Sequence, residues 1–211
     1  MLVVAPDGTE NRAGKRFWNA TDACCAGPLA KEVDDSAYLA DVIANVAADH
    51  AVDPDRIYVM GHSNGGFMSF RMACDHAGTV AAIASLEGAT FDDPAACDPS
   101  EPVSVLAVHG TADDTIEYDG DEIAGTPYPG AEETVEAWAG YDGCTGTDPD
   151  PEPATLPVVT DLPPAEVTSY EGCEDGTAVE LWTQPDGTHI PAWDDAFIGS
   201  VLDWLLDHPK G

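Results

Sequence analysis

Basic side chains are scarce in this chain: its 211 residues hold 7 Lys plus Arg against 40 Asp plus Glu, a formal net charge of −33. Such a surface repels phosphate backbones and anionic headgroups, which excludes nucleic acid and anionic membranes as partners. Lysine occurs only as Lys15, Lys31 and Lys210. An acidic surface so poor in lysine serves solubility, and it also fits a halophilic setting in which salt screens the self-repulsion. Long apolar runs are absent too, so no membrane span is expected. The opening Met-Leu-Val-Val-Ala-Pro-Asp-Gly lacks the charged segment and long apolar stretch of a signal peptide. No internal repeat and no shift of composition divides the chain, and one domain over residues 1–211 is expected.

The six cysteines, at positions 24, 25, 74, 97, 144 and 173, contain no C-x-x-C pair and no other familiar metal spacing. Disulfides, and with them a secreted protein, are the expectation. Export then requires a leader that this sequence does not include. The pairing is open: adjacent Cys24 and Cys25 should seek separate partners, while Cys144 and Cys173 either staple a long loop or remain buried thiols.

Hydrophobic residues make up 44% of the chain, and strand-like and helix-like runs alternate along it, the pattern of an α/β fold. Leu2 to Ala5, closed by Pro-Asp-Gly, reads as a buried strand. From Asp34 to about His50 the residues Val33, Ala37, Ala40, Ile43, Ala44 and Ala47 recur near helical spacing. Ile57 to Met60 reads as a strand, Gly65 to about Ala77 as a helix, and Val80 to Leu86 and Val103 to Val108 as strands buried on both faces of a parallel sheet. Ala131 to Ala139 reads as a helix and Val167 to Tyr170 and Val179 to Thr183 as strands. Asp194 to Leu206 reads as an amphipathic helix with Trp204 inward. Asp142 to Pro164, rich in Pro, Asp, Gly and Thr, reads as an irregular acidic surface loop; it lacks EF-hand spacing, so a calcium site there is the weaker reading.

Gly61-His62-Ser63-Asn64-Gly65 matches G-x-S-x-G between a predicted strand and a predicted helix, where a strained turn lifts a serine hydroxyl above the sheet. A serine is a weak nucleophile without a base, and the base needs a carboxylate to fix its tautomer. In this context the order is serine, acid, histidine, each beyond the carboxyl end of a strand. His109-Gly110-Thr111-Ala112-Asp113 and Asp186-Gly187-Thr188-His189 fall at the required places. Asp113 is therefore the expected acid and His189 the expected base; Asp114 adjoins, but its spacing from His-Gly is less favourable.

The matching segments extend further: Val-Val-Ala-Pro-Asp-Gly, Trp18-Asn19-Ala20 with Cys24-Cys25, Val52-Asp53-Pro54-Asp55-Arg56-Ile57-Tyr58-Val59, Gly-His-Ser-Asn-Gly-Gly, His-Gly-Thr-Ala-Asp, and Cys144 after Trp138. Through them the sequence resembles the secreted polyhydroxybutyrate depolymerase and feruloyl esterase-like family of α/β-hydrolases. The resemblance implies a reduced α/β-hydrolase fold, with a mostly parallel sheet and helices on both faces. It also implies Ser63 as nucleophile, Asp113 as acid and His189 as base, no cofactor or metal, and feruloyl-type, polyhydroxyalkanoate-type or aromatic polyester substrates.

The N-terminus departs from that family, whose members carry preceding strands and a His-Gly segment that contributes to the oxyanion hole. The backbone N–H of Asn64 supplies one donor. For the second, either an amide of Asp7, Gly8 or Thr9 substitutes, with Leu2 to Ala5 packed beside the nucleophile strand, or a homo-oligomer covers the open sheet edge. Trp18, Trp193 and His62 are expected either to contact substrate or to serve packing and structure. His109 reads as a loop-fixing residue. The alternative from another class is a catalytically weak binding module on a truncated hydrolase fold; the complete serine, acid and histidine set argues against it.

Overall fold

The computed structural model describes residues 1–11, 14–25, 33–147 and 162–211. Along the chain the elements are β1 (Thr9–Glu10), β2 (Arg16–Phe17), α1 (Asp35–Asp49), β3 (Tyr58–His62), α2 (Asn64–Asp75), β4 (Ala82–Leu86), β5 (Ser104–Gly110), β6 (Gly120–Ile123) and β7 (Thr126–Pro129). They continue with α3 (Ala131–Tyr141), β8 (Gly146–Thr147), β9 (Glu166–Glu171), β10 (Val179–Gln184) and α4 (Asp195–Asp207). The main sheet has the order β3-β4-β5-β10-β9-β8. Its first four strands run parallel, and β9 and β8 add antiparallel pairs at one side.

Alternation along the strands sorts the core into two clusters. Ile83, Val105, Ala107, Val179 and Leu181 point to one face, where they meet Phe67, Phe70 and Met72 of α2 and Val135 and Trp138 of α3. Ala82, Ala84, Leu86, Leu106, Val108 and Trp182 point to the other, beneath Phe197, Val201, Trp204 and Leu205 of α4. Continuous apolar runs such as Val-Leu-Ala-Val are what a strand covered on both sides requires. The sheet is therefore mostly parallel with helices on both faces.

Helix α1 starts where expected, with the Asp34 side chain accepting the Ala37 N–H at 3.0 Å, an N-cap that satisfies one orphan amide. Its apolar stripe is not a buried face, however: Ala37, Ala44 and Ala47 are exposed, and only Asp35 and Ser36 are buried. Leu39 and Ile43 reach the core in part; alanine side chains are too short to do so. The helix is anchored at its first turn, where Ser36 Oγ donates to Asp75 at 2.7 Å and lies 3.0 Å from His76 Nε2.

The expected strand at Leu2 to Ala5 does not form. Met1 to Val4 are exposed, and β3 is the end of the sheet among the described strands. The nearby pairing is local instead: β1 joins β2, and Arg16 Nη1 donates to the Gly8 carbonyl at 2.9 Å. A short hairpin closes a small loop, whereas docking on β3 must close a long one. The β6–β7 hairpin has only a faint sequence signal. Its turn holds Ala124 at φ 54 and Gly125 at φ 87, the two positive values of a type I′ turn, with alanine where asparagine or aspartate is usual.

Disulfides join Cys74 to Cys97 and Cys144 to Cys173. Cys24 and Cys25 pair with each other, which corrects the expectation of separate partners: the other four cysteines satisfy one another across the fold. The Cys24 carbonyl accepts the Ala20 and Thr21 amides at 2.9 and 2.8 Å, closing a tight loop. The possible calcium loop lies largely at residues 148–161, outside the described residues, but its first residue is no surface acid. Asp142 is fully buried at the end of α3 and accepts the Val103 N–H at 3.2 Å.

Burial pushes the Asp142 carboxyl up to about 7, against the pull of the Val103 amide and the Thr177 hydroxyl. An acid whose folded pKa exceeds its unfolded value withdraws stability as pH climbs from the ordinary carboxylate range through about 7. Asp142→Asn keeps an oxygen acceptor and removes the charge. It is expected to raise the melting temperature at pH 8 by a few degrees, on the order of 1 kcal/mol, and by less at pH 5, as calorimetry at both values will read.

Candidate active site

Ser63 sits between β3 and α2 with φ 55 and ψ −119, a conformation that a side chain adopts only when its surroundings impose it. The surroundings are a pair of glycines: a Cβ on Gly61 would strike the Gly65 backbone. The Ser63 N–H donates to the Leu86 carbonyl at 2.7 Å, tying the turn to the end of β4. The parallel strands β3, β4, β5 and β10 thus deliver Ser63, Glu87, Asp113 and His189 beyond their carboxyl ends, the usual location of sites in such sheets.

The two loops that carry the acid and the base are interlocked. Ala112 N–H donates to Gly187 O at 2.8 Å, Thr111 N–H to Gln184 O at 3.0 Å, and Asp186 N–H to the Thr111 hydroxyl at 3.0 Å. As a result His189 Nδ1 lies 2.8 Å from Asp113 Oδ2, and His189 Nε2 lies 2.9 Å from Ser63 Oγ. Three residues distant in sequence form one hydrogen-bonded chain. Asp113 Oδ1 accepts the Thr115 and Ile116 amides at 2.9 and 3.0 Å. Burial opposes its ionisation, but hydrogen bonds from His109, His189, Ile116 and Thr115 outweigh that cost and hold its carboxyl well below the usual carboxylate range. Asp114 is exposed and accepts only a long 3.4 Å bond from the Thr115 hydroxyl.

His62 braces the base. Its Nε2 lies 2.7 Å from the His189 carbonyl, which fixes Nε2–H as the donor. Its ring stands 4.9 Å from that of His189 and 5.0 Å, edge on, from Trp193. Burial lowers its pKa, with the bond to the His189 carbonyl pulling the other way. Trp193 is half-buried and stacks on Phe197 at 6.0 Å. His109 is buried with Nε2 2.8 Å from the Ile116 carbonyl, a loop-fixing contact.

Asn64 does more than its place after the serine implied. Its backbone N–H belongs to the first turn of α2, where helix amides lack an intrahelical acceptor. Its side chain clamps Trp18, accepting the Trp18 N–H at 2.6 Å and donating to the Trp18 carbonyl at 2.9 Å. Nothing in the local sequence signals this grip across 46 residues. The Trp18 ring lies 6.5 Å from that of Tyr38. The Asp7 carboxylate and the Gly8 carbonyl meet Arg16, and the Thr9 hydroxyl donates to Asp35 at 3.1 Å. The segment that meets the serine turn is the one around Trp18. Glu87, buried between the serine and acid loops, was also missed; its one sequence signal is an isolated acid closing the apolar run Val80 to Leu86.

A parallel sheet with helices on both faces and a strand–serine–helix turn at its carboxyl end define an α/β-hydrolase fold. The chain belongs to the dienelactone hydrolase family, whose model matches residues 9–126, more than half of its length. It is 31% identical over 199 residues to feruloyl esterase B of Piromyces equi, in a match covering 89% of this chain and 33% of that protein. The chain thus spans about a third of the length of that relative. The fold is similar to that of Arabidopsis thaliana SOBER1, with TM-score 0.58 and 13% identity over 96% of this chain and 81% of the other. It is also similar to that of the acetyl xylan esterase from Aspergillus awamori, with TM-score 0.55 and 15% identity over 81% and 66%. The feruloyl esterase-like α/β-hydrolase resemblance read from the sequence holds.

Proposed function

We propose that this chain is a serine esterase that hydrolyses carboxylic esters through an acyl-enzyme on Ser63. The observation that carries the reading is the unbroken chain from Asp113 through His189 to Ser63, at 2.8 and 2.9 Å. Asp113 accepts a hydrogen bond from His189 Nδ1–H, which fixes the tautomer and leaves the lone pair of Nε2 facing the serine hydroxyl. His189 Nε2 takes the serine hydroxyl proton as Ser63 Oγ attacks the ester carbonyl. It then returns a proton to the departing alcohol, and the same base activates the water that releases the acid. The Asn64 amide is one donor to the developing oxyanion.

The similar proteins and the aromatic residues beside the triad support a substrate class. Feruloyl and acetyl xylan esterases among the similar proteins favour an acylated saccharide or an aromatic acyl ester, and the half-buried Trp193 and Trp18 offer flat apolar surface for such a group. Three disulfides favour an oxidising, extracellular setting. The test is hydrolysis of a short p-nitrophenyl ester, a feruloyl ester and a polyester at low and high salt. Turnover that ranks the feruloyl ester above the polyester supports this class, and higher activity in salt supports the halophilic reading. A folded chain that hydrolyses none of them at any salt level contradicts the proposal.

A further inference from the structure

Glu87 lies at the carboxyl end of β4, one strand from Ser63 and one from Asp113, and the chemistry above makes no use of it. Its side chain is 1% exposed and its backbone is left-handed at φ 53. Both features are unfavourable for a glutamate: the interior strips the carboxylate of hydration, and positive φ crowds its Cβ. Strain gathered at one residue beside a reactive centre points to a role there.

The contacts say what that role is. Glu87 Oε2 accepts the Gly110 N–H at 3.0 Å, at the start of the turn that carries Asp113, and lies 3.5 Å from His109 Nε2. His109 Nε2 is in turn 3.5 Å from Asp113 Oδ2 and donates to the Ile116 carbonyl at 2.8 Å. Glu87, His109 and Asp113 could be taken for a cation cage, since their ligand atoms lie within 4.8 Å of one another. Each of those atoms is already engaged: Glu87 with the Gly110 amide, His109 with Ile116, and Asp113 Oδ2 with His189.

We propose that Glu87 is a positioning residue of the esterase site, whose carboxyl group holds the turn from His109 to Asp113 through the Gly110 amide and so keeps Asp113 in register behind His189. The inference rests on the Ser63–His189–Asp113 reading. Burial pushes the Glu87 carboxyl up to about 8; His109 and the Gly110 amide pull against that, and the charge of Asp113 adds to it. The groups facing Glu87 are His109 and Asp113 from β5 and its turn, with His189 beyond Asp113. The small void on its other side is lined by Trp182, Gln184, Trp193 and Phe197, none of which ionises to carry charge there. Once Glu87 ionises, two carboxylates share one buried turn and repel each other.

The experiment compares kcat and KM for a p-nitrophenyl ester from pH 6 to 10 in the wild-type chain, Glu87→Gln, Glu87→Ala and Ser63→Ala. Wild-type kcat is expected to fall through about pH 8. Glu87→Gln keeps an oxygen for Gly110 and cannot ionise, so its kcat at pH 7 stays within about threefold and the alkaline fall disappears. Glu87→Ala lowers kcat by at least about tenfold with KM unchanged, because the acid is no longer held in register. Should Glu87→Ala fail to fold, the Glu87→Gln profile decides alone. An alkaline limb shared by Glu87→Gln and the wild type, or a folded Glu87→Ala with unchanged kcat, overturns the inference. An inert Ser63→Ala alongside either result leaves the triad reading standing, whereas an active one removes the reading itself.

Discussion

Ser63→Ala is expected to lower kcat for ester hydrolysis by about 10⁶, leaving the circular dichroism and melting temperature near those of the wild type. The size follows from the absence of a substitute: His189 Nε2 has the Ser63 hydroxyl at 2.9 Å as its partner. Without that oxygen no acyl-enzyme forms. Residual turnover comes from substrate binding and oxyanion donors, among them the Asn64 amide. The fold should tolerate the change, because the strained backbone at Ser63 is held by the bond from its own N–H to Leu86 and by the glycines beneath it. The measurement is steady-state hydrolysis of a p-nitrophenyl ester beside a thermal melt.

Asp113→Asn is expected to lower kcat by about 10⁴ with little change in KM. Two backbone amides, of Thr115 and Ile116, point at Oδ1, so the oxygen of an asparagine at this position turns toward them. Its NH₂ then faces His189 Nδ1, where the carboxylate oxygen stands in the native chain at 2.8 Å. An N–H in that place demands an unprotonated Nδ1, which puts the proton on Nε2 and leaves Ser63 without a base. Asp114→Asn, at an exposed neighbour, is the matched control and should keep wild-type kcat. A comparable loss in both variants would transfer the effect from tautomer control to general damage in the loop.

The serine turn was legible because two local signals coincide there: an apolar strand run ending at Met60 and glycines on both sides of Ser63. The order of Asp113 and His189 was legible because each follows a strand of a parallel sheet, and strand ends in such sheets converge. Leu2 to Ala5 misled, since a four-residue apolar run records a preference for burial and not whether an edge is available. Helix α1, by contrast, forms where its spacing and its Asp34 cap place it, although its alanines are too short to reach the core. The Cys74–Cys97 pairing, the Asn64 clamp on Trp18 and the Glu87 contact to Gly110 are tertiary events between distant segments. Sequence spacing carries no record of them. The expectation of an acidic surface loop from Asp142 failed at its first residue for a related reason: Asp142 is buried where it accepts the N–H of Val103, far away in the chain.

The central claim is that Ser63 carries the acyl group, and covalent labelling tests it most directly. The folded chain is incubated with a fluorophosphonate, which traps activated serines as stable phosphonate esters, then digested and read by mass spectrometry. One phosphonate per chain, on the peptide containing Ser63 and lost when His189 is replaced by alanine, is the predicted result. A folded chain that takes up no phosphonate, or takes it up at a different residue, contradicts the account.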